Sequence, residues 1–110
     1  MSKASENRFM RVVVIYDLPM TTVRDGQEYR QFHKFLQKNG FIMQQFSFYS
    51  KLVLNQTQAN ATKLALRKAL PAKGVVQCLT ITEKQYAGIE YMTGKAQSKI
   101  EDSMDRWLQF

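Results

Sequence analysis

Two rhythms of apolar and polar positions run along this chain, and the switches between them mark its elements. From Phe9 to Tyr16 the residues are β-branched or aromatic almost without interruption, the composition of a buried strand. Asp17-Leu18-Pro19 ends it, because proline cannot continue a hydrogen-bonded ladder. A helical spacing follows. Thr21 and Thr22 can cap a helix and Asp25 sits in its first turn. Tyr29, Phe32 and Leu36, with Phe35 alongside, line one face up to about Asn39, and Gly40 is a natural stop. Gly26 weakens the first turns of that helix. Phe41 to Leu54 reads as two strands with little turn chemistry between them. Thr57 to Leu70 is rich in alanine and leucine, hence helical, and Pro71 closes it. Val75 to Thr82 is a fourth strand. Ile89 to Thr93, between Gly88 and Gly94, suggests a short fifth one. Beyond Gly94 the pattern is weakly helical, with Ile100, Met104, Trp107 and Leu108 at helical spacing.

The predicted order is β-α-β-β-α-β, then β. That is an α+β, ferredoxin-like arrangement: one antiparallel sheet with two helices on one face. Residues 1–8 are polar and expected to fray, residues 9–93 form the domain, and residues 94–110 are a tail. The second sheet face and the sheet edges need cover that so short a chain does not supply. A homodimer packing sheet against sheet, with the fifth strand added to the partner's edge, answers both needs.

The chain has 110 residues, which fits one modest core and not two. No apolar run is long enough to cross a bilayer, no signal sequence opens the chain, and the lone Cys78 cannot form an internal disulfide. A cytoplasmic protein without a membrane partner is expected. The formal net charge is +7, and its placement matters more than its size. Between Glu28 and Glu83 there is not one acid, while Arg30, Lys34, Lys38, Lys51, Lys63, Arg67, Lys68 and Lys73 all fall there. A folded middle that repels itself calls for a polyanionic partner, and nucleic acid fits better than a membrane surface.

Three groups of residues carry candidate chemistry. Asp17 closes a hydrophobic strand, where a carboxylate can help hold Mg²⁺ or Mn²⁺ for phosphodiester hydrolysis. An Asp that merely organises the turn before Pro19 is the simpler reading of the residue taken alone, since Asp is a favoured turn residue. One carboxylate per chain is thin for metal chemistry, and two copies meeting across a dimer axis are better. Arg30, Lys34 and Lys38 recur every four residues on the first helix. Like charges at that spacing repel by a few tenths of a kcal/mol, a penalty that a phosphate backbone would reverse. Arg67 and Lys68 are weaker candidates of the same kind, and a solvated helix face is the plain alternative. Phe46, Phe48 and Tyr49 are aromatic and able to stack bases, but they lack the RNA-recognition pattern, so packing is favoured. His33, the only histidine, has no ligand partners at metal spacing and reads as a surface or interface residue. Cys78 alternates with apolar residues and is expected to be a buried small hydrophobe.

Several segments together resemble the CRISPR-associated protein 2 family, and the type II variant most. They are Val14-Ile15-Tyr16-Asp17-Leu18-Pro19, Tyr29 to Leu36, Asn39-Gly40-Phe41, Gln45 to Tyr49, Leu70 to Gly74, and Leu79-Thr80-Ile81-Thr82-Glu83-Lys84-Gln85-Tyr86. The resemblance spans about Phe9 to Thr93. It implies a ferredoxin-like homodimer in which Asp17 from both chains is the metal-binding and catalytic aspartate of a Mg²⁺-dependent endonuclease. The substrate would be RNA or double-stranded DNA. It also implies a role in spacer acquisition, in which the dimer binds duplex DNA and bridges integrase dimers. The tail commonly contacts the integrase in this family, which makes Trp107 and Leu108 the candidate contact. A ribonuclease toxin of related fold and a non-catalytic ferredoxin-like RNA-binding protein are the competing readings.

Overall fold

The structure is a computed structural model and describes residues 9–94. Its order is β1 (Met10–Asp17), α1 (Val23–Lys38), β2 (Ile42–Gln45), β3 (Phe48–Val53), α2 (Gln56–Lys68), β4 (Val75–Thr82) and α3 (Glu83–Ala87). The four strands form one antiparallel sheet in the order β2-β3-β1-β4, the ferredoxin-like topology expected.

Strand alternation divides the two faces. Val12, Val14 and Tyr16 point towards the helices with Tyr49 and Val53, and meet Phe32 and Leu36 of α1 and Ala59 and Leu66 of α2. Burying each large apolar side chain here stabilises the fold by roughly 1.5–3 kcal/mol. The other face carries Arg11, Ile15 and Asp17 of β1, Leu52 of β3 and Val75 and Leu79 of β4. Ile15, Leu52, Val75 and Leu79 stay exposed there.

α1 begins at a capping box: Thr22 Oγ1 accepts from the Asp25 amide and Asp25 Oδ2 accepts from the Thr22 amide. It ends at Lys38, and after the C-cap Asn39 comes Gly40 at φ +84°, a left-handed turn that glycine makes without strain. α2 is capped by Asn55, whose side chain accepts from the Gln58 amide.

Two expectations change, and one element is new. Ile89 to Thr93 forms no strand among the described residues; a strand exists only as a pairing, and the chain offers this segment no neighbour. A short helix, α3, stands just before it, started by a second capping box between Thr82 and Gln85. Cys78 is exposed, not buried, because β4 is an edge strand whose outer side α2 covers only in part.

Candidate nucleic-acid and metal site

Asp17 is the last residue of β1 and is exposed on the open sheet face, opposite Val75. Its surroundings are fixed by backbone. The Tyr16 amide donates to the carbonyl of Ser47 at 3.0 Å, which ties the turn between β2 and β3 to the end of β1. On the other side lies Gly74, at φ +93°, where a Cβ would stand 2.7 Å from the Asp17 carbonyl oxygen. Only glycine lets the loop into β4 pass so close.

That loop is also held from α1. Glu28 Oε1 accepts from the Ala72 amide at 2.8 Å. This bond, and then Arg24, hold the Glu28 carboxyl below its ordinary range. Asp25 is buried and accepts from the Thr21 hydroxyl at 2.9 Å and from the Thr21 and Thr22 amides. The Thr21 hydroxyl bond is the main reason its carboxyl is also lowered. Lys73 Nζ reaches to 4.0 Å from Asp25 Oδ1. The two acids that follow Asp17 in sequence, Asp25 and Glu28, are therefore structural anchors, committed to a cap and a loop.

Among the described residues no group of three or more His, Cys, Asp or Glu is placed to hold a metal. One chain brings the single Asp17 carboxylate to this position, and a divalent cation held there would draw the rest of its oxygen shell from water or from a second carboxylate.

Arg30, Lys34 and Lys38 are all exposed along α1, and no ion pair among the described residues neutralises them. Arg67 and Lys68 are exposed in the last turn of α2, where a helix C-terminus favours cations whether or not a ligand is present. Lys68 lines a cleft of about 540 Å³ with Arg24, Gln27 and Gln31 of α1. The basic positions thus lie on the helix layer, and Asp17 on the opposite face of the sheet. Trp107 and Leu108 lie outside the described residues.

The three candidate aromatics separate. Tyr49 is core, Phe48 is half-buried and Phe46 is 58% exposed. His33 is half-buried, with Nδ1 2.7 Å from the Tyr49 hydroxyl, and loss of hydration lowers its pKa. Tyr16 lies beside Tyr29 and Tyr49, and burial drives its phenol far above the ordinary range.

Sequence reasoning missed the cluster at the other end of the open face. Arg11 makes a two-pronged contact with Glu83, at 2.6 and 3.0 Å, and its guanidinium lies 4.4 Å from the centroid of the Tyr86 ring. The Tyr86 hydroxyl reaches Ser50 Oγ at 3.4 Å. These contacts pin α3 over the sheet. The Thr-x-x-Gln spacing at Thr82 and Gln85 is the signal for this helix.

Residues 10–89 match the family model described as CRISPR associated protein Cas2. The chain belongs to the Cas2 family. It is 44% identical to a protein of Treponema denticola over 88% of this chain and 96% of that protein. It is 41% identical to one of Ligilactobacillus salivarius over 90% of this chain and 98% of that one. It is 42% identical to one of Streptococcus mutans over 88% and 89%. Each of the three is named CRISPR-associated endoribonuclease Cas2. A solved structure titled "Crystal structure of cas2" shares the Cas2 fold with this chain, at TM-score 0.57 and 19% identity, over 83% of this chain and 93% of that one. No helix among the described residues is long and apolar enough to cross a membrane.

Proposed function

We propose that this Cas2 chain acts in CRISPR spacer acquisition as a cytoplasmic homodimer that binds duplex DNA and bridges integrase dimers. The observation that carries the reading is the open sheet face, where Ile15, Leu52, Val75 and Leu79 are exposed beside Asp17. Such a patch marks an interaction surface. A second copy covering it would bring a second Asp17 near the first. The regular eight-residue edge of β4 would accept Ile89 to Thr93 of the partner as an added strand. The duplex would then lie along the uncompensated cations Arg30, Lys34 and Lys38, with Arg67 and Lys68 adding to the same field. Trp107 and Leu108 are proposed for the integrase contact.

A second reading, endoribonuclease activity, is favoured by the names of the relatives and by the exposure of Asp17. Mg²⁺ or Mn²⁺ held between two Asp17 carboxylates would supply phosphate polarisation and an activated water. The chain's own part is to fix Asp17 through the Ser47 and Gly74 contacts.

Integration of DNA into a CRISPR repeat by the cognate integrase separates the readings. It is run without the protein, with it, and with Asp17→Ala. Integration that needs the protein and tolerates the substitution supports the scaffold. Loss with Asp17→Ala, in a variant that still dimerises, places the carboxylate in the mechanism. Integration indifferent to the protein overturns the acquisition role.

A further inference from the structure

β3 carries a lysine on the side of the sheet that faces the helices. Lys51 pairs with Val12, so strand alternation points it the same way as the core residues Tyr49 and Val53. The residue is half-buried, and a charge drawn away from water is costly unless a partner compensates it. Among the described residues Lys51 has no hydrogen bond and no ion pair. No acid stands anywhere between Glu28 and Glu83 to supply one locally. The lysine stem lies beside the turn that follows α1: a Cβ on Gly40 would stand 3.6 Å from Lys51 Cε and 4.0 Å from Nζ.

Lys51 lines a cleft of about 280 Å³ between α1 and α2, with Phe35, Asn39, Gln58, Thr62 and Ala65. No carboxylate lines it. Its other polar side chains are held by the chain itself. Asn39 Nδ2 donates to the Phe35 carbonyl at 2.8 Å, and the Thr62 hydroxyl to the Gln58 carbonyl at 2.9 Å. Gln58 Oε1 accepts from the Leu54 amide at 2.9 Å, so the part of Gln58 left over is its Nε2 donor. A cleft with one uncompensated ammonium, a spare amide donor and no carboxylate favours an anion.

We propose that this cleft binds a single phosphate group, with Lys51 as its countercharge and Gln58 Nε2 as a second donor. Phosphate fits better than carboxylate, because an ammonium binds phosphate as a point charge, whereas flat carboxylates are matched by the guanidinium fork. The cleft is roomier than a bare phosphate needs and Phe35 and Ala65 give it an apolar wall, so the group arrives attached to a nucleoside. That nucleoside is either free or the end of a strand. The site stands apart from Asp17, on the other face of the sheet, and uses none of the cations assigned to the duplex. It therefore holds whether or not the duplex reading does.

The test titrates the full-length protein at constant ionic strength and follows amide resonances by NMR. The probes are inorganic phosphate, adenosine 5′-monophosphate, and two single-stranded oligonucleotides that differ only in a 5′-phosphate or a 5′-hydroxyl. The proteins are wild type, Lys51→Arg, Lys51→Met and Gln58→Glu. Lys51→Met removes the charge and keeps the stem. Gln58→Glu keeps the acceptor for the Leu54 amide and places a carboxylate in the cleft, so it reads the site even where Lys51→Met fails to fold. The expected result is saturable shifts at Asn39, Gly40, Lys51 and Gln58 in wild type and Lys51→Arg. Affinity should fall by about ten-fold or more in Lys51→Met and Gln58→Glu. Adenosine monophosphate that binds more tightly than phosphate assigns the site to a free nucleotide. A 5′-phosphate preference that both variants abolish assigns it to a strand end. Binding that survives in both variants, or shifts that fall elsewhere, overturns the proposal. So does wild type that binds none of the probes, which leaves Lys51 as a lysine that reaches past apolar surface to water.

Discussion

Gly74 and Asp17 are locked by backbone: a Cβ on Gly74 would meet the Asp17 carbonyl oxygen at 2.7 Å. The carboxylate that the Cas2 resemblance singles out is thus positioned by a residue with no side chain, on a different strand connection.

Gly74→Ala is expected to destabilise the fold by about 2–4 kcal/mol, from the left-handed φ and the forced contact together. Any activity that depends on Asp17 should fall further than stability alone accounts for. Urea unfolding, read beside nucleic-acid cleavage and integration at a temperature where the variant is folded, checks both.

If the proposed homodimer packs through the open face, Leu79→Glu places a charge in its exposed apolar patch. A buried charge without a partner is costly at an interface. The expected outcome is a monomer by sedimentation, with an unchanged far-UV spectrum. A variant that remains dimeric moves the dimer surface elsewhere.

Replacing Arg30, Lys34 and Lys38 by Ala should weaken duplex binding whatever the DNA sequence. It should also flatten the plot of log affinity against log salt by about 0.9 per lost phosphate contact. Titration of one duplex at several salt concentrations measures the slope, and an unchanged slope removes α1 from the DNA surface.

Asp25 has a folded-state carboxyl pKa below its ordinary value, first because the Thr21 hydroxyl donates to it. A depressed carboxyl contributes stability that is fully present above its unfolded pKa of about 4 and is lost as pH falls through the lower folded value. Asp25→Asn should therefore be less stable than wild type at neutral pH. Its stability should also fall less steeply below about pH 4. Thermal unfolding of both proteins across that range reads the difference.

The fold was legible where local chemistry and packing agreed. β1 and β4 are β-branched runs bounded by Pro19 and Gly74, and α1 announces itself through Thr22, Asp25 and the Tyr29, Phe32, Leu36 face. α3 was not legible because five residues carry too little periodicity, although its capping box was present in the sequence. The turn at Phe46 and Ser47 escaped because the pair contains neither Gly, Asn nor Asp, the usual signals of a two-residue hairpin. Cys78 was misplaced because alternation along an edge strand does not say how far the covering helix reaches. The exposure of the α1 cations followed from spacing alone. The bond between Tyr49 and His33 joins a strand to a helix and has no local signature.

Arg11 and Asp17 belong to one strand but sit near its opposite ends, about 20 Å apart at the usual rise per residue. The helix pinned by Glu83 and the carboxylate shaped by Gly74 share no partner. Energetically the two ends should be strangers: the costs of Glu83→Gln and Gly74→Ala should add to within about 0.5 kcal/mol in the double variant. The strand between them then acts as a spacer, and each end of the sheet can be altered without retuning the other.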